Sequence, residues 1–176
     1  FLVVILVMLV QVSKKDYERI LHKLMPKRAI AKLRKGETVV EEYKNVTIFF
    51  SDIVGYTRMS SEMTPIQVMK MLNDLFMEFD KLAEKYNVFK VETIGDCYVG
   101  ACGVPVPRDD HAVAMSRFAR DCLRKINDLC QKLEASLGPG TADLAFRIGL
   151  HSGPITGGVL RGENARFQLF GDTMNT

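Results

Sequence analysis

An acidic residue, Asp52, stands at the end of a run of strand-forming residues, separated from it by Ser51. Residues 46–50 all have high strand propensity, and Gly55 interrupts the pattern soon after Asp52. Such a run predicts a buried strand, and a carboxylate at its end is costly to desolvate unless something binds it. The glycine lets backbone N–H groups approach an anion, as phosphate-binding turns do. The pattern by itself also fits ordinary turn chemistry, because Asp often ends a strand.

A second carboxylate, Asp96, is predicted at the tip of a hairpin. Residues 88–103 contain two apolar-rich stretches joined at Gly95-Asp96, a pair that suits a two-residue type II′ turn. A capping box at residues 64–67 begins a long amphipathic helix between the first strand and this hairpin. Strand, helix and hairpin form the first half of a split βαβ unit, whose hairpin places a strand antiparallel to the first. The two carboxylates would then converge, and carboxylate pairs that bind Mg²⁺ beside a phosphate-binding turn serve two-metal phosphoryl chemistry.

The chain resembles the class III nucleotide cyclases, and among them most closely the membrane guanylate cyclases. The resemblance lies in Phe-Ser-Asp-Ile-Val-Gly-Tyr-Thr (50–57), Lys-Val-Glu-Thr-Ile-Gly-Asp-Cys-Tyr (90–98), Phe-Arg-Ile-Gly-Leu-His-Ser-Gly-Pro (146–154) and Leu-Phe-Gly-Asp-Thr-Met-Asn-Thr (169–176). Residues 24–33 are similar to the segment that precedes the catalytic domain in that family. The resemblance implies an α+β domain of ferredoxin-like type.

The resemblance also implies a set of roles. Asp52 and Asp96, with the backbone carbonyl of Ile53, would hold two Mg²⁺ (or Mn²⁺) ions. The triphosphate would be wrapped by Ile53, Val54, Gly55, Tyr56 and Thr57. Arg147 would bind phosphate, although a salt bridge to a nearby acid is the alternative, and Asn175 would orient the ribose. The implied reaction is attack of the 3′-hydroxyl on the α-phosphate with loss of pyrophosphate.

Glu92 and Gln168 bear on whether the nucleotide substrate carries guanine or adenine. A carboxylate accepts hydrogen bonds from both N1–H and the exocyclic amine of guanine, and guanylate cyclases carry Glu at the place of Glu92. The partner position is usually Cys in guanylate cyclases and Asp in adenylate cyclases, whereas this chain has Gln168, whose amide can serve either base. GTP is therefore favoured over ATP. Adenylate cyclase and a catalytically silent cyclase-like module are the alternatives.

The family resemblance implies a head-to-tail homodimer with shared sites. One subunit would supply Asp52, Asp96 and Arg147, and the other Glu92, Gln168 and Asn175. The family also has an Arg four residues beyond the Asn and a later Lys, and because the sequence stops at Thr176 we expect the catalytic domain to continue further.

The first 36 residues differ in composition from the rest. Residues 1–12 are almost wholly apolar, so we expect the last part of a transmembrane helix there, with a buried core segment as the alternative. Residues 13–36 hold nine Lys and Arg against two acidic residues, a net +7 that leaves −4 elsewhere in a chain of net +3. This basic stretch predicts a cytoplasmic, helical dimerisation linker before a catalytic domain at 37–176, and the acidic remainder argues against nucleic-acid binding.

Periodicity predicts the remaining elements. The helix after Pro65 should bury Met69, Leu72, Phe76, Phe79, Leu82 and Ala83, and a second helix should bury Met115, Phe118, Ala119, Cys122, Ile126, Leu129 and Leu133. Strands are expected at 144–150, 155–160 and 166–170. The four Cys lack metal-binding spacing, so we expect reduced and mostly buried thiols.

Overall fold

The computed structural model describes residues 14, 16, 17, 21, 25–137, 144–160 and 166–175. The predicted membrane segment at 1–12 lies outside these residues, as do Thr176 and much of the predicted linker. Within the described part of the chain, no helix has the length and apolar character needed to cross a membrane.

From residue 27 onward, the described residues form five helical segments and five strands. Their bounds are α1 Lys27–Arg34, β1 Val40–Ile53, α2 Tyr56–Glu62, α3 Pro65–Tyr86, β2 Phe89–Ile94, β3 Cys97–Cys102, α4 His111–Leu137, β4 Phe146–Leu160, β5 Arg166–Phe170 and a 3₁₀ turn at Asp172–Met174. The strand order is β2-β3-β1-β4-β5. The chain divides into two compact units, residues 43–155 with 171–175 and residues 25–42 with 156–170.

The larger unit contains the predicted split βαβ arrangement. Strand β3 pairs antiparallel with β1, and the hairpin turn pairs Ile94 with Cys97. Gly95 has φ +61°, which the first position of a type II′ turn requires. The hairpin and the insertion of its second strand beside β1 are therefore confirmed.

The core of the larger unit is centred on Phe49 of β1. Its ring contacts Phe79 of α3 and Phe118 of α4 edge-on, with centroid separations of 6.3 and 4.9 Å. The capping box at Thr64 is present and begins α3 as predicted. The prediction for Met69 is wrong, because this side chain is 71% exposed while Met71 is buried. Leu72 and Phe76 are half-buried, and the buried residues of α3 are Met71, Leu75, Phe79, Leu82 and Ala83, so the buried stripe begins two residues later than the apolar periodicity suggested.

The second long helix, α4, buries most of the predicted face. Met115, Phe118, Ala119, Cys122 and Ile126 are buried and Leu129 is half-buried, whereas the side chain of Leu133 lies outside the described part of the structure. Every cysteine of the chain is free, and three of the four are buried, as expected.

Residues 146–160 form one continuous strand where two were expected. Gly153-Pro154 suggested a break, but the strand continues through it. The carbonyl of Pro154 accepts a hydrogen bond from Thr173 Oγ1 at 2.7 Å, so a side chain takes the place of a ladder partner there. Strand β1 likewise begins earlier than the apolar run, at Val40.

The smaller unit holds the short helix α1. Pro26 precedes this helix and Gly36, at φ +74°, follows it, as the sequence predicts. Lys32 Nζ donates to Glu41 Oε1 at 2.7 Å, which ties the helix to the start of β1. In the same unit Val159 N–H donates to the Val39 carbonyl at 3.0 Å, and the end of β4 pairs with β5.

Candidate active site

Asp52 and Arg147 lie opposite each other on neighbouring antiparallel strands. Val54 N–H donates to the Ala145 carbonyl at 2.9 Å, and Thr47 Oγ1 lies 2.8 Å from Ser152 Oγ. Both pairings belong to one unbroken register, which also makes Asp52 the direct partner of Arg147. An Arg147 Nη donates to Asp52 Oδ2 in a short charge-assisted hydrogen bond.

Asp96 approaches the same place from the hairpin turn. Its Oδ2 accepts a hydrogen bond from the Ile53 N–H at 3.1 Å. Burial, and then the neighbouring Asp52 carboxylate, raise the pKa of Asp96, while the bond from Ile53 works in the opposite direction. The two carboxylates therefore converge, as the split βαβ topology predicts.

The predicted triphosphate-binding segment is a turn that leads into a helix. Gly55 has φ +73°, a backbone conformation that side chains rarely adopt, and it precedes α2. Tyr56 and Thr57 form the first turn of α2. Val54 and Gly55 are exposed, so the turn is open to a ligand.

Glu92 reaches the same face of the sheet through a β-bulge. The register with β3 shifts between Lys90 and Glu92, so Glu92 pairs with Val99. Val99 in turn pairs with Phe50 of β1. Side chains of paired residues share a face, and Phe50 and Asp52 are two apart on one strand. Glu92 therefore lies on the face that carries Asp52, opposite the face covered by α3 and α4.

Lys90, on the other side of the bulge, points to the helical face. Its Nζ donates to Asp80 of α3 at 2.8 Å, and the buried Tyr98 hydroxyl donates to the other oxygen of Asp80 at 2.9 Å. Sequence reasoning missed Asp80. A polar residue within an apolar helix stripe was the available signal, but its partners became evident only from the pairing of the strands.

Asn175 follows the 3₁₀ turn in the larger unit. The turn is held by Thr173, which is buried and donates to the Pro154 carbonyl. His151 Nδ1 lies 3.3 Å from the Thr173 carbonyl oxygen. Gln168 belongs to the smaller unit, where it pairs with Gly158 on β4. The structure thus brings together Asp52, Asp96, Arg147 and the turn in the larger unit, which also contains Asn175, whereas Gln168 is part of the smaller unit.

Residues 38–176 match the family described as "Adenylate and Guanylate cyclase catalytic domain". The chain belongs to this family.

Individual relatives agree with this assignment. The chain is 42% identical to the receptor-type guanylate cyclase gcy-28 of Caenorhabditis elegans. The 165 aligned residues cover 93% of this chain and 12% of that protein. It is 41% identical to the atrial natriuretic peptide receptor 2 of Rattus norvegicus, covering 93% of this chain and 15% of the receptor. The chain therefore spans only a small part of the length of these relatives.

A solved structure is similar as well. The guanylate cyclase domain of RhGC from Catenaria anguillulae, crystallised in complex with GTP, has a TM-score of 0.67 and 41% identity, over 77% of this chain and 70% of that one. The likeness confirms the mixed α/β fold of class III cyclases.

The donor groups of this cyclase domain fit a hard divalent cation. Asp52 and Asp96 present carboxylate oxygens, which Mg²⁺ and Mn²⁺ prefer. No group of three or more His, Cys, Asp or Glu side chains suited to a metal occurs among the described residues. Mg²⁺ is often held by only one or two carboxylates, with waters and substrate phosphates completing its shell. The fit therefore depends on the carboxylate pair and on a bound triphosphate.

A part-buried group of hydrogen-bonded polar side chains supports the strand pair that carries Asp52 and Arg147. Thr47 Oγ1, on the helical face of β1, lies 2.7 Å from His111 Nδ1 and 2.8 Å from Ser152 Oγ. His111 begins α4. His111 is thus a structural residue that ties the helix to the sheet.

Proposed function

We propose that this domain converts GTP to 3′,5′-cyclic GMP and pyrophosphate. The observation that carries the proposal is the convergence of Asp52 and Asp96 beside the Gly55 turn, with Ile53 N–H on Asp96 Oδ2 at 3.1 Å. The similar protein gcy-28 and the similar domain of RhGC are both named as guanylate cyclases, which favours GTP.

In the proposed reaction the 3′-oxygen forms a bond to the α-phosphorus as the bond to the bridging oxygen of pyrophosphate breaks. The 3′-hydroxyl proton passes to solvent. Two Mg²⁺ or Mn²⁺ ions, held by Asp52, Asp96 and the Ile53 carbonyl, would lower the pKa of that hydroxyl and neutralise the phosphates. Backbone groups of residues 53–57 would bind the triphosphate, and positioning of this kind needs no covalent nucleophile.

Arg147 and Asn175 are the remaining proposed catalytic residues. The Arg147 guanidinium can bind phosphate oxygens in a bidentate manner, and Asn175 would hold the ribose. Arg147 is 72% exposed at its side chain, so it has room to reach a ligand.

We propose that Glu92 and Gln168 read the base. The Glu92 carboxylate would accept from guanine N1–H and the exocyclic amine, and the Gln168 amide would donate to O6. Adenine lacks that donor pair, so a site built this way leaves polar groups unpaired with ATP.

For assembly we propose a head-to-tail homodimer whose sites combine residues of two subunits. The sequence further supports a membrane-anchored arrangement, with residues 1–12 in a transmembrane helix, 13–36 as the linker and the catalytic domain in the cytoplasm.

The test is cyclase turnover with GTP and with ATP, in the presence of Mg²⁺ or Mn²⁺, by a protein whose sequence extends past Thr176 and includes the downstream Arg and Lys expected above. Asp52→Asn and Asp96→Asn each keep the shape of the side chain and remove its charge, so we expect turnover to fall at least about a thousandfold, the equivalent of about 4 kcal/mol. Asp109→Asn, an exposed residue before α4, is the matched control and should keep wild-type turnover.

Wild-type activity in either site variant would refute the two-metal assignment. Faster turnover of ATP than of GTP would favour the adenylate cyclase alternative. Failure to turn over either nucleotide would favour a silent module.

A further inference from the structure

The guanidinium of Arg147 is bound to a carboxylate that the proposed reaction assigns to a metal ion. Asp52 Oδ2 accepts a hydrogen bond from an Arg147 Nη. We propose that Arg147 is a latch on the metal site: it occupies Asp52 until a triphosphate draws it away, so divalent cation and triphosphate bind cooperatively. This inference rests on the proposed function, because it requires Asp52 to be a metal ligand.

Charge is the first reason for the latch. Asp52, Asp96 and Arg147 together carry a net charge of −1 at neutral pH. A divalent cation that binds Asp52 while Arg147 is still bound there must share the carboxylate with the guanidinium. Two positive groups on the same carboxylate repel each other. A triphosphate carries enough negative charge to accept both the cation and the guanidinium.

The geometry lets the latch open without disturbing the sheet. The Arg147 side chain is 72% exposed and that of Asp52 is 39% exposed, so the guanidinium can turn towards solvent or a ligand. Strands β1 and β4 remain joined on either side, by Val54 N–H to the Ala145 carbonyl at 2.9 Å and by Thr47 to Ser152 at 2.8 Å. Opening therefore breaks one exposed ion pair and leaves the strand register intact.

Cooperativity follows from thermodynamic linkage. A cation that arrives alone must break the ion pair, and so must a triphosphate that recruits Arg147. Once the first ligand has separated the two side chains, the second binds without that cost. The gain in affinity must be equal in both directions.

The experiment measures Mn²⁺ binding to the purified chain without nucleotide. Electron paramagnetic resonance follows the loss of the free Mn²⁺ signal, in wild type and in Arg147→Gln. Exposed ion pairs have modest strength, so we expect Arg147→Gln to bind Mn²⁺ about three- to fivefold more tightly than wild type. Arg147→Lys, which keeps the charge but loses the planar fork, should lie between the two.

Two further variants make the result specific. Arg58→Gln removes an equal charge from an exposed residue of α2 that pairs with Glu62 rather than with Asp52, and it should bind Mn²⁺ as wild type does. When Asp52→Asn is also present, Arg147→Gln should no longer tighten Mn²⁺ binding, because the carboxylate for which cation and guanidinium compete is gone. Far-ultraviolet circular dichroism confirms that each variant is folded.

The outcomes separate the latch from the proposed function. Equal Mn²⁺ affinity in wild type and Arg147→Gln, with binding still dependent on Asp52, would overturn the latch and leave the metal site standing. Equal tightening in Arg58→Gln and Arg147→Gln would also overturn it, because general charge would then be the cause. Absence of Asp52-dependent binding in every variant would overturn the metal assignment, and the latch with it.

Discussion

Replacing Gly153 by Ala should disturb the turn that carries Asn175. A Cβ at Gly153 would lie 2.5 Å from Thr173 Oγ1 and 3.4 Å from its Cγ2, and real Cβ atoms do not approach other atoms as closely as the shorter distance. Thr173 is 4% exposed and anchors the 3₁₀ turn at Asp172–Met174. The added methyl group must therefore displace Thr173.

The magnitude combines two costs and one smaller offsetting contribution. Overpacking a tight site costs about 1–3 kcal/mol, and displacing Thr173 breaks the 2.7 Å bond to the Pro154 carbonyl, which is worth about 1 kcal/mol. Lower backbone entropy in the unfolded chain offsets about 0.5 kcal/mol. We expect Gly153→Ala to lower the free energy of unfolding by about 2–3 kcal/mol.

Gly149 offers a matched control on the same strand. A Cβ there would meet no atom within 4 Å, so Gly149→Ala should leave stability unchanged or raise it by up to about 0.5 kcal/mol. Urea unfolding followed by circular dichroism gives both values. On a Thr173→Ala background the cost of Gly153→Ala should largely disappear, because the clashing atoms are gone. Equal stabilities of Gly153→Ala and Gly149→Ala would refute the reasoning.

Two further predictions concern stability. Hydrogen bonds from the Tyr86 hydroxyl and from Lys85 lower the pKa of Asp121 from 3.8 to about 2. The contribution of Asp121 to stability is therefore complete above about pH 4 and is lost as pH falls towards 2. In a plot of the urea midpoint against pH, Asp121→Asn should reduce the slope between about pH 4 and 2, and an unchanged curve would contradict the assignment. Thr47→Val should destabilise the fold by about 1 kcal/mol in urea unfolding, because it removes the buried hydroxyl that contacts His111 Nδ1 and Ser152 Oγ. Thr93→Val, at an exposed residue, is the control, and equal effects of the two variants would argue against a stabilising role for these hydrogen bonds.

The sequence was sufficient for features that depend on neighbouring residues. The Thr64 capping box, the Gly95 turn and the helix after Pro26 are each specified by a few adjacent side chains, and all three are confirmed. The convergence of Asp52 with Asp96 was also predicted, because the order strand, helix, hairpin permits few pairings.

Features that depend on distant partners were missed. The continuity of β4 through Pro154 relies on Thr173, which lies 19 residues further along the chain. Met69 is exposed because contact with the sheet determines which face of α3 is buried. Apolar residues also lie beside that face, so their spacing does not define it. For Arg147 the sequence left phosphate and salt bridge open, and only the β1–β4 register revealed the pairing with Asp52.

The bulge before Glu92 is the most consequential feature that the sequence could not predict. Strict alternation would place Lys90 and Glu92 on one face, yet Lys90 contacts Asp80 on the helical side while Glu92 pairs with Val99 on the other. The hairpin turn fixes the register from one end and the ion pair with Asp80 holds Lys90 from the other. An extra residue between these two constraints is the way to satisfy both.

This arrangement has a consequence for the proposed shared sites. On the face that carries Glu92 and Asp52, Ile48 is fully buried, whereas Phe50 and Asp52 are partly exposed and Arg147 is exposed. Val99, which lies between Glu92 and Phe50 on that face, is buried and Glu92 is partly exposed, so exposure increases from the level of Glu92 towards the candidate metal ligands. Two residues along a strand and two strands across amount to about 12 Å between the Cα atoms of Glu92 and Asp52. A single bulge therefore places the proposed base-reading carboxylate on the accessible face, where a second subunit can approach it.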